Sequence, residues 1–344
     1  MRIVLASTFV PFVKGGARFI VEWLEQKLIA HGHEVERFYF PFVETPDDLL
    51  TQTAALRLVD LTQACDRLIA FRPPAHVLRH PHKFLWFIHH IRAYYDLWDS
   101  EYAPPHTPSE EALRAALHQM DRTALGEAQG LFTNSGVVSG RIAKFNGLAS
   151  TPLYPPIFEP ERFRCEGYGD EVVMVCRLEA HKRQMLLVEA MAHTQSGVRL
   201  RLCGRGSSDG YGRDLAAAVE RLGLRDKVIL EDRWISEDEK ADRLAGALAT
   251  VYAPKDEDSY GYPSLEAAHS QKAVLTTTDA GGVLELVQDG RNGFVCDPEP
   301  MAIAERLDRL FKDRALAQQM GQANARRIAE LNIDWDHVVE VLTA

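Results

Sequence analysis

The sequence has few cysteines, no long hydrophobic run and a deficit of basic side chains. Its five cysteines are scattered and form no C-x-x-C, which excludes a zinc knuckle, a thioredoxin-type motif and a disulfide scaffold. No segment approaches the roughly 18 consecutive apolar residues of a membrane span. The amino terminus passes directly into a strand pattern, so we expect no signal peptide. The 49 acidic residues outnumber the 39 basic ones, which argues against a nucleic-acid partner. We therefore expect a cytoplasmic protein, and a peripheral position at the inner face of the membrane stays open.

Short β-rich runs alternate with amphipathic helical patterns along most of the chain. Predicted strands at 2–6, 35–40, 67–71, 83–88 and 130–133 are interleaved with helices at 18–30 and 109–125. After a proline-rich stretch near 152–160, strands at 171–176, 198–203 and 227–230 alternate with helices at 183–192 and 213–222. This spacing predicts an α/β protein with two doubly wound domains and a ligand cleft at the carboxyl ends of the strands.

The segment from Arg67 to Tyr95 contains no acidic residue but carries five basic residues and five histidines. Such a charge run is either a solvated loop face or a surface that meets an anionic acceptor or membrane headgroups.

Two loops carry residues suited to phosphate. The first ends in Gly15-Gly16 just before the predicted helix at 18–30, and free N–H groups at a helix start favour phosphate. In the second, Arg177 lies at the end of a strand and Lys182 at the start of the next helix. Two cations at one strand edge can neutralise a diphosphate as a bond to it breaks. The alternatives are a plain turn and a pair of solvated basic side chains.

The segment 256–266 is the densest in candidate site residues. It follows a predicted strand at 250–252, and Gly261 and Pro263 suit the entry into a helix. Asp258 and Glu266 then lie at opposite ends of the loop and first turn, where two carboxylates can hold hydroxyls on a sugar and a ribose. The alternative is acidic capping of the helix. A second glycine pair, Gly281-Gly282, again joins a strand to a helix and is expected near the same ligand.

Two rival motifs are present. Asp256-Glu257-Asp258 has the D-x-D form of a metal–diphosphate site, but such triplets are common by chance and the surrounding loop favours a metal-free site. Cys203-Gly204-Arg205-Gly206, with Glu231 closing the next strand, is similar to a dinucleotide fingerprint with the glycine spacing one residue off. We predict no metal and no cofactor, and an NAD(P)-dependent oxidoreductase is the weaker alternative.

Taken in order, these motifs resemble glycosyltransferase family 4, retaining enzymes of the GT-B fold with two Rossmann-like domains facing a cleft. The matching residues are Gly15-Gly16, His31-Gly32-His33-Glu34-Val35, Cys176-Arg177-Leu178 through Lys182, Asp258 and Glu266, Asp279-Ala280-Gly281-Gly282 with Glu285, Asn292-Gly293-Phe294-Val295 and Ile333-Asp334-Trp335. The first acid of the family's pair is usually Glu. Asp258 stands there with Glu257 beside it, which shortens the reach toward the sugar by a methylene group.

The resemblance implies transfer of a hexosyl group from a UDP- or GDP-sugar to a saccharide, lipid-linked or other hydroxyl acceptor, with retained configuration, in bacterial cell-envelope polysaccharide or glycoconjugate synthesis. It implies an acceptor-binding domain at 1–155 and a donor-binding domain at 156–325. A helical tail at 326–344 is expected to pack back toward the first domain. A sugar-nucleotide epimerase is the alternative, since fold alone does not decide function.

The resemblance also assigns roles to residues. Arg177 and Lys182, with the Gly15 and Gly16 amides, would hold the diphosphate, and Glu266 would hold the ribose. Asp258 and the backbone near Tyr260, Gly261 and Tyr262 would hold the sugar. A histidine at the end of a first-domain strand would contact the sugar, and His89 is preferred over the adjacent His90. Arg233 and Trp234 are candidates to flank the base, with a surface tryptophan as the alternative.

Overall fold

The computed structural model describes residues 1–9, 16–206 and 209–344, with the Asp209 side chain excepted. The chain divides into two compact units. The first contains residues 1–155 and 333–344, and the second contains residues 156–332. Gly15 lies outside the described residues, as do Ser207 and Ser208.

The first unit is built on a six-stranded parallel sheet with the order β2-β1-β3-β4-β5-β6. The strands are β1 (Arg2–Phe9), β2 (Glu34–Pro41), β3 (Arg67–Ala70), β4 (Lys83–Phe87), β5 (Gly130–Thr133) and β6 (Thr151–Pro152). The helices are α1 (Gly16–Ala30), α2 (Pro46–Arg57), α3 (Pro108–Gly126) and α4 (Gly136–Asn146). Every residue of β4 is buried, as expected of a strand covered on both faces.

Local sequence signals explain where the helices of this unit begin and end. Thr107 caps α3 by accepting a hydrogen bond from the Glu110 amide at 3.2 Å, and Pro108 occupies the first turn. Ser135 caps α4 in the same way, and Gly147 ends it in the left-handed region at φ 69°.

The second unit has another six-stranded parallel sheet, with the order β12-β11-β10-β7-β8-β9. The strands are β7 (Glu171–Val175), β8 (Arg199–Gly204), β9 (Val228–Asp232), β10 (Ala249–Val251), β11 (Val274–Thr277) and β12 (Gly293–Cys296). The helices are α5 (Gln184–Met191), α6 (Asp209–Arg221), α7 (Glu237–Ala245), α8 (Tyr262–His269), α9 (Val283–Leu286), α10 (Pro300–Lys312) and α11 (Arg314–Glu330). Both sheets therefore have the doubly wound, Rossmann-like form that the strand–helix alternation predicts.

The end of the chain returns to the first unit. The last helix, α12 (Trp335–Thr343), packs against α1, and the Trp335 ring meets the Trp86 ring edge-on at 6.3 Å. Arg67 donates to the carbonyl oxygens of Leu342 and Ala344, both at 2.8 Å, and so satisfies the end of α12. Because α11 continues to Glu330, residues 326–332 belong to the second unit rather than to a tail.

The acid-free segment 67–95, all of which the structure describes, is largely internal. Lys83 is fully buried and donates to the carbonyl oxygens of His76 and Ala124 at 3.2 and 2.7 Å. His76, His80 and His90 are buried as well. Four of its five cations contact carbonyl or carboxylate groups of the first unit, and Arg79 is exposed. The segment therefore lacks the continuous basic surface that both interpretations of its charge run assume. No helix among the described residues is both long and apolar enough to cross a membrane.

Candidate functional site

The order of the second sheet places its candidate site. The strand order reverses between β7 and β10, and in such sheets ligands bind at the carboxyl ends of the strands on either side of the reversal. The loop after β7 contains Arg177 and Lys182, and the loop after β10 contains residues 252–261. The loop after β11 carries the second glycine pair. Motifs far apart in the sequence thus share one edge of the sheet.

Lys182 ends a short 3-10 turn over Ala180–Lys182 and turns its ammonium into the protein. Its Nζ donates to the Tyr252 hydroxyl at 2.8 Å and forms an ion pair with Glu257. Tyr252 in turn donates to Glu257 Oε2 at 3.0 Å. The Lys182 side chain is 9% exposed, so it is not one of the two solvated basic side chains that the alternative interpretation of this loop assumes.

Burial and pairing together determine the protonation of Glu257 and Tyr252. Burial alone would raise the pKa of Glu257, but the Lys182 charge and the hydrogen bonds from Lys182 and Tyr252 lower it below its ordinary value. Burial also raises the pKa of Tyr252 well above its ordinary value. Lys182 and Glu257 therefore form a charged pair of zero net charge.

Arg177 is different in character. It follows β7 directly, its side chain is 56% exposed, and its ion-pair contact with Glu179 is long at 3.9 Å. Its guanidinium can swing toward a ligand at little cost in broken contacts. The two predicted phosphate-binding cations thus lie at one sheet edge, one exposed and one neutralised.

Glu266 lies in α8 and is buried, with its side chain 8% exposed. Its Oε1 accepts a hydrogen bond from Lys240 Nζ at 2.7 Å. Burial raises the pKa of Glu266, and the Lys240 charge opposes part of that rise. Lys240 lies on α7, and no motif in the sequence marks it as a site residue.

The entry into α8 depends on Gly261. This residue has φ 70°, and a Cβ there would lie 2.3 Å from the Tyr252 ring. The residue at the start of α8 is Gly261 itself, which has no side chain to cap the helix, and the first turn contains no acidic residue. Asp258 is half-buried, Tyr260 is buried to 1% exposure and Tyr262 is half-buried.

The second glycine pair packs protein against protein. A Cβ on Gly281 would lie 2.4 Å from the Glu257 carbonyl oxygen, and one on Gly282 would lie 2.6 Å from Ser259 Cα. The Gly282 amide donates to the Glu257 carbonyl oxygen at 2.8 Å. Because neither glycine has a side chain, the loop after β11 can pack directly against the loop after β10. The sequence predicts that these glycines contact the ligand, whereas the structure shows them in contact with the neighbouring loop.

A further pair joins the loops after β7 and β11. Arg183, with φ 60°, donates from Nη1 to Asp279 Oδ1 at 2.7 Å, with a second bond to Oδ2. The Lys255 amide also donates to the His181 carbonyl oxygen at 2.9 Å. Sequence reasoning missed Arg183, Lys240 and Tyr252, because each acts through a partner remote in the chain.

Arg233 and Trp234 follow β9. Arg233 donates to Glu239 at 2.8 Å and to Glu231 at 3.0 Å, so two carboxylates already hold its guanidinium. Trp234 is 67% exposed, as the surface alternative expects.

In the first unit, the two candidate histidines follow β4 and have unlike environments. His90 is buried, its Nε2 lies 2.9 Å from Asn146 Oδ1, and burial lowers its pKa to about 4. His89 is half-buried, and its Nδ1 lies 2.7 Å from the His90 carbonyl oxygen. Gly16 is the first residue of α1.

The residues of the two rival motifs, the D-x-D triplet and the dinucleotide-like unit, contact other parts of the protein. In Asp256-Glu257-Asp258, Asp256 is exposed, Asp258 is half-buried and Glu257 is paired with Lys182. Among the described residues, no three His, Cys, Asp or Glu side chains cluster as metal ligands would. In the dinucleotide-like unit, a Cβ on Gly204 would lie 1.9 Å from the Cys176 carbonyl oxygen, so this glycine serves strand packing. Glu231, the expected ribose acid, is held by Arg201, Arg233 and Arg243.

Comparison with known proteins gives one family match and several curated relatives. Residues 164–327 match the family model described as "Glycosyl transferases group 1". The chain is 25% identical over 174 residues to the human alpha-1,3/1,6-mannosyltransferase ALG2, covering 46% of this chain and 41% of that protein. It is 26% identical over 208 residues to the alpha-maltose-1-phosphate synthase of Mycolicibacterium smegmatis, covering 57% of this chain and 53% of that enzyme. The chain therefore spans about half or less of these curated relatives.

Solved structures define the fold. Sucrose-phosphate synthase from Thermosynechococcus elongatus superposes with a TM-score of 0.75 at 17% identity, covering 99% of this chain and 97% of that one. Anabaena Alr3699/HepE in complex with UDP superposes with a TM-score of 0.72 at 18% identity, covering 100% and 98%. These neighbours confirm the α/β, GT-B fold of two Rossmann-like domains.

Proposed function

We propose that the protein is a retaining glycosyltransferase of family 4, which transfers a hexosyl group from a nucleotide diphosphate sugar to an acceptor hydroxyl. The observation that carries the proposal is the grouping of Arg177, Lys182 and Glu266 at the strand-order reversal of the second sheet. The family-model match over residues 164–327 covers this same unit. Alr3699/HepE, which shares the fold, has been crystallised with UDP-glucose.

The second unit, residues 156–332, would bind the donor. Arg177 and Lys182 would hold the diphosphate. Glu266, kept in place by Lys240, would accept hydrogen bonds from the ribose hydroxyls. Asp258 and the backbone near Tyr260–Tyr262 would hold the sugar. Separate residues of the family motif would thus bind the diphosphate, the ribose and the sugar of the donor.

Catalysis would depend on charge and position rather than on a covalent step. The acceptor hydroxyl attacks on the face from which the nucleoside diphosphate leaves, and the leaving phosphate takes the acceptor proton. No protein nucleophile or separate base is then required. Arg177 and Lys182 would stabilise the charge that develops on the departing diphosphate, while His89 would contact the sugar.

We propose that the first unit binds the acceptor, a saccharide, a lipid-linked saccharide or another hydroxyl compound, in bacterial cell-envelope polysaccharide or glycoconjugate synthesis. Four of the five cations of segment 67–95 contact groups of the first unit, so acceptor recognition would use hydroxyl contacts more than a basic surface. The reaction would need no metal ion. Full activity in EDTA is the expected result, and strict dependence on Mg²⁺ or Mn²⁺ would contradict this part.

A thermal-shift panel tests the donor class. UDP-, GDP- and ADP-sugars and the free diphosphates are added to the wild type, to R177A and to R79A, in which an exposed arginine of the first unit is removed. At a concentration about 100 times its Kd, a ligand stabilises the folded state by about 2.7 kcal/mol. We expect one base to raise the melting temperature of the wild type and of R79A but not of R177A. A shift by NAD(P)H and by no nucleotide-sugar would contradict the proposal.

A further inference from the structure

Lys182, Tyr252 and Glu257 form a closed triangle of hydrogen bonds at the donor edge. Lys182 donates to the Tyr252 hydroxyl and to the Glu257 carboxylate, and Tyr252 donates to the same carboxylate oxygen. Lys182 also lies over the Tyr252 ring, at 5.2 Å from its centre. An ammonium has three N–H donors, so the triangle uses two of them and leaves the third for a ligand.

The backbone anchors the acid of this triangle. The Glu257 amide donates to the Ala280 carbonyl oxygen at 3.3 Å, and the Glu257 carbonyl oxygen accepts from the Gly282 amide at 2.8 Å. Glu257 is therefore fixed to the loop after β11. A buried ammonium without a partner would cost several kcal/mol, and Glu257 supplies that partner before any ligand arrives.

A bound phosphate would compete with Glu257 for Lys182. If Lys182 meets the diphosphate, as the proposed function requires, one ammonium is then shared by the carboxylate and the phosphate. Arg177 adds positive charge from the same loop as Lys182, while Asp256 and Asp258 add negative charge from the loop of Glu257 itself. His181 and Glu179 of the turn after β7 and the half-buried Cys176 are further titratable groups around the triangle.

The direction of the change follows from these charges. In the free protein, the Lys182 charge holds the pKa of Glu257 below its ordinary value in spite of burial. A phosphate on Lys182 both dilutes that attraction and adds repulsion, and each effect raises the pKa of the carboxyl group. The free protein then binds fewer protons at this position than the complex.

We infer that Glu257 is the positioning residue for Lys182 and that it takes up a proton from solvent when Lys182 binds the diphosphate of the donor. This inference rests on the proposed function, because it requires a phosphate at Lys182. The protonated carboxyl group stays within the triangle as a neutral hydrogen-bonding partner, and the ammonium turns its charge to the ligand.

Isothermal titration tests the inference directly. UDP-glucose is the probe, with GDP-mannose in its place if the protein prefers guanine, because neither donor has the second phosphate ionisation that a terminal phosphate shows near about pH 6. Wild type and E257Q are titrated between about pH 5 and 8 in buffers of different ionisation enthalpy. The wild type should take up a fraction of a proton and bind more tightly as the pH falls, with a limiting slope of about tenfold per pH unit.

The variants separate positioning from folding. E257Q should bind with less proton uptake than the wild type and with a shallower pH profile, because His181 remains beside the triangle. Y252F, which keeps the Lys182–Glu257 pair, should retain the uptake, and so should the matched control E166Q, whose acid pairs with Arg164 on the surface. Equal slopes in wild type and E257Q would overturn the inference while leaving donor binding intact. Failure of the wild type to bind either donor would instead contradict the proposed function itself.

Discussion

Lys240 Nζ lies 2.7 Å from the carboxylate of Glu266, and both side chains are shielded from solvent by the second unit. The pair joins α7 to α8 and keeps the acid of α8 in place at the donor edge. It also makes the stability of this unit depend on a cation that no motif marks.

Replacing Lys240 with Met should destabilise the protein by about 3 kcal/mol, because it leaves a buried carboxylate without its partner. The pKa of Glu266, already raised by burial, should rise further in K240M. A group whose pKa is raised by folding costs stability as it ionises, so the deficit should be small below pH 4.5, its ordinary value, and grow with rising pH. Urea unfolding at several pH values measures this.

E237Q is the control for that variant. Glu237 also pairs with Lys240, at 2.9 Å, but its side chain is 54% exposed, so its loss should cost less than about 1 kcal/mol. Equal effects of K240M and E237Q, or a deficit in K240M that shrinks as the pH rises, would contradict this account of the pair.

Gly282→Ala should destabilise the loop after β10. Gly282 has an ordinary φ of −61°, so the cost comes from the Cβ that would lie 2.6 Å from Ser259 Cα. Overpacking of this kind costs about 1–3 kcal/mol and should displace the Glu257 segment, which weakens donor binding as well. Denaturant unfolding measures the loss of stability, and donor titration measures the loss of affinity.

Gly140→Ala is the matched control for this glycine. Gly140 lies inside α4 with no heavy atom within 4 Å of an added Cβ, so alanine there should stabilise the helix by about 0.5–1 kcal/mol. A neutral or stabilising effect of G282A would show that the loop does not pack as described.

Arg177→Lys separates charge from geometry at the exposed cation. Lysine keeps the charge but loses the planar fork that binds two phosphate oxygens. We expect transfer to fall about a hundredfold with the melting temperature unchanged, because the side chain is 56% exposed. Steady-state kinetics should show no comparable loss for R79K, and near-normal turnover in R177K would argue against a bidentate phosphate contact.

Replacing His90 should change the pH dependence of stability, whereas replacing His89 should change the rate of transfer. The pKa of His90 is lowered by burial to about 4, so the unfolded chain binds a proton near pH 6.5 that the folded chain refuses. Stability should therefore fall by about 3 kcal/mol as the pH drops from 6.5 to 4, and H90Q should lose most of this dependence.

H89A should keep the acid dependence of the wild type but transfer sugar about 10- to 100-fold more slowly, because its side chain would contact the sugar. Thermal unfolding against pH, beside transfer rates, distinguishes the two residues. If H90Q loses transfer and keeps the acid dependence of the wild type, His90 rather than His89 contacts the sugar.

The sequence predicts the fold well because strand–helix alternation is a local pattern. The strand at Gly130–Thr133 begins and ends where the pattern places it. The same pattern places Arg177 at the end of β7, since residues after a strand fall at its carboxyl edge.

Contacts between distant residues lie beyond such reasoning. Tyr252 reads only as the end of a strand, and its bond to Lys182 depends on the order of strands in the folded sheet. Lys240 is one charge among several in the acidic segment 237–245, and no sequence motif distinguishes it. Segment 67–95 reads as a basic surface, although its lysine is fully buried, because sequence shows charge but not the carbonyl groups that receive it.

The most direct test of the central claim is the release of nucleoside diphosphate from a nucleotide-sugar with and without an acceptor. The donor is the one that stabilises the protein, and the acceptors are saccharides and lipid-linked saccharides. The wild type should release diphosphate only with an acceptor, form one product that keeps the anomeric configuration of the donor, and lose this activity in R177A. Conversion of the nucleotide-sugar to its epimer without an acceptor would contradict the claim and favour the epimerase.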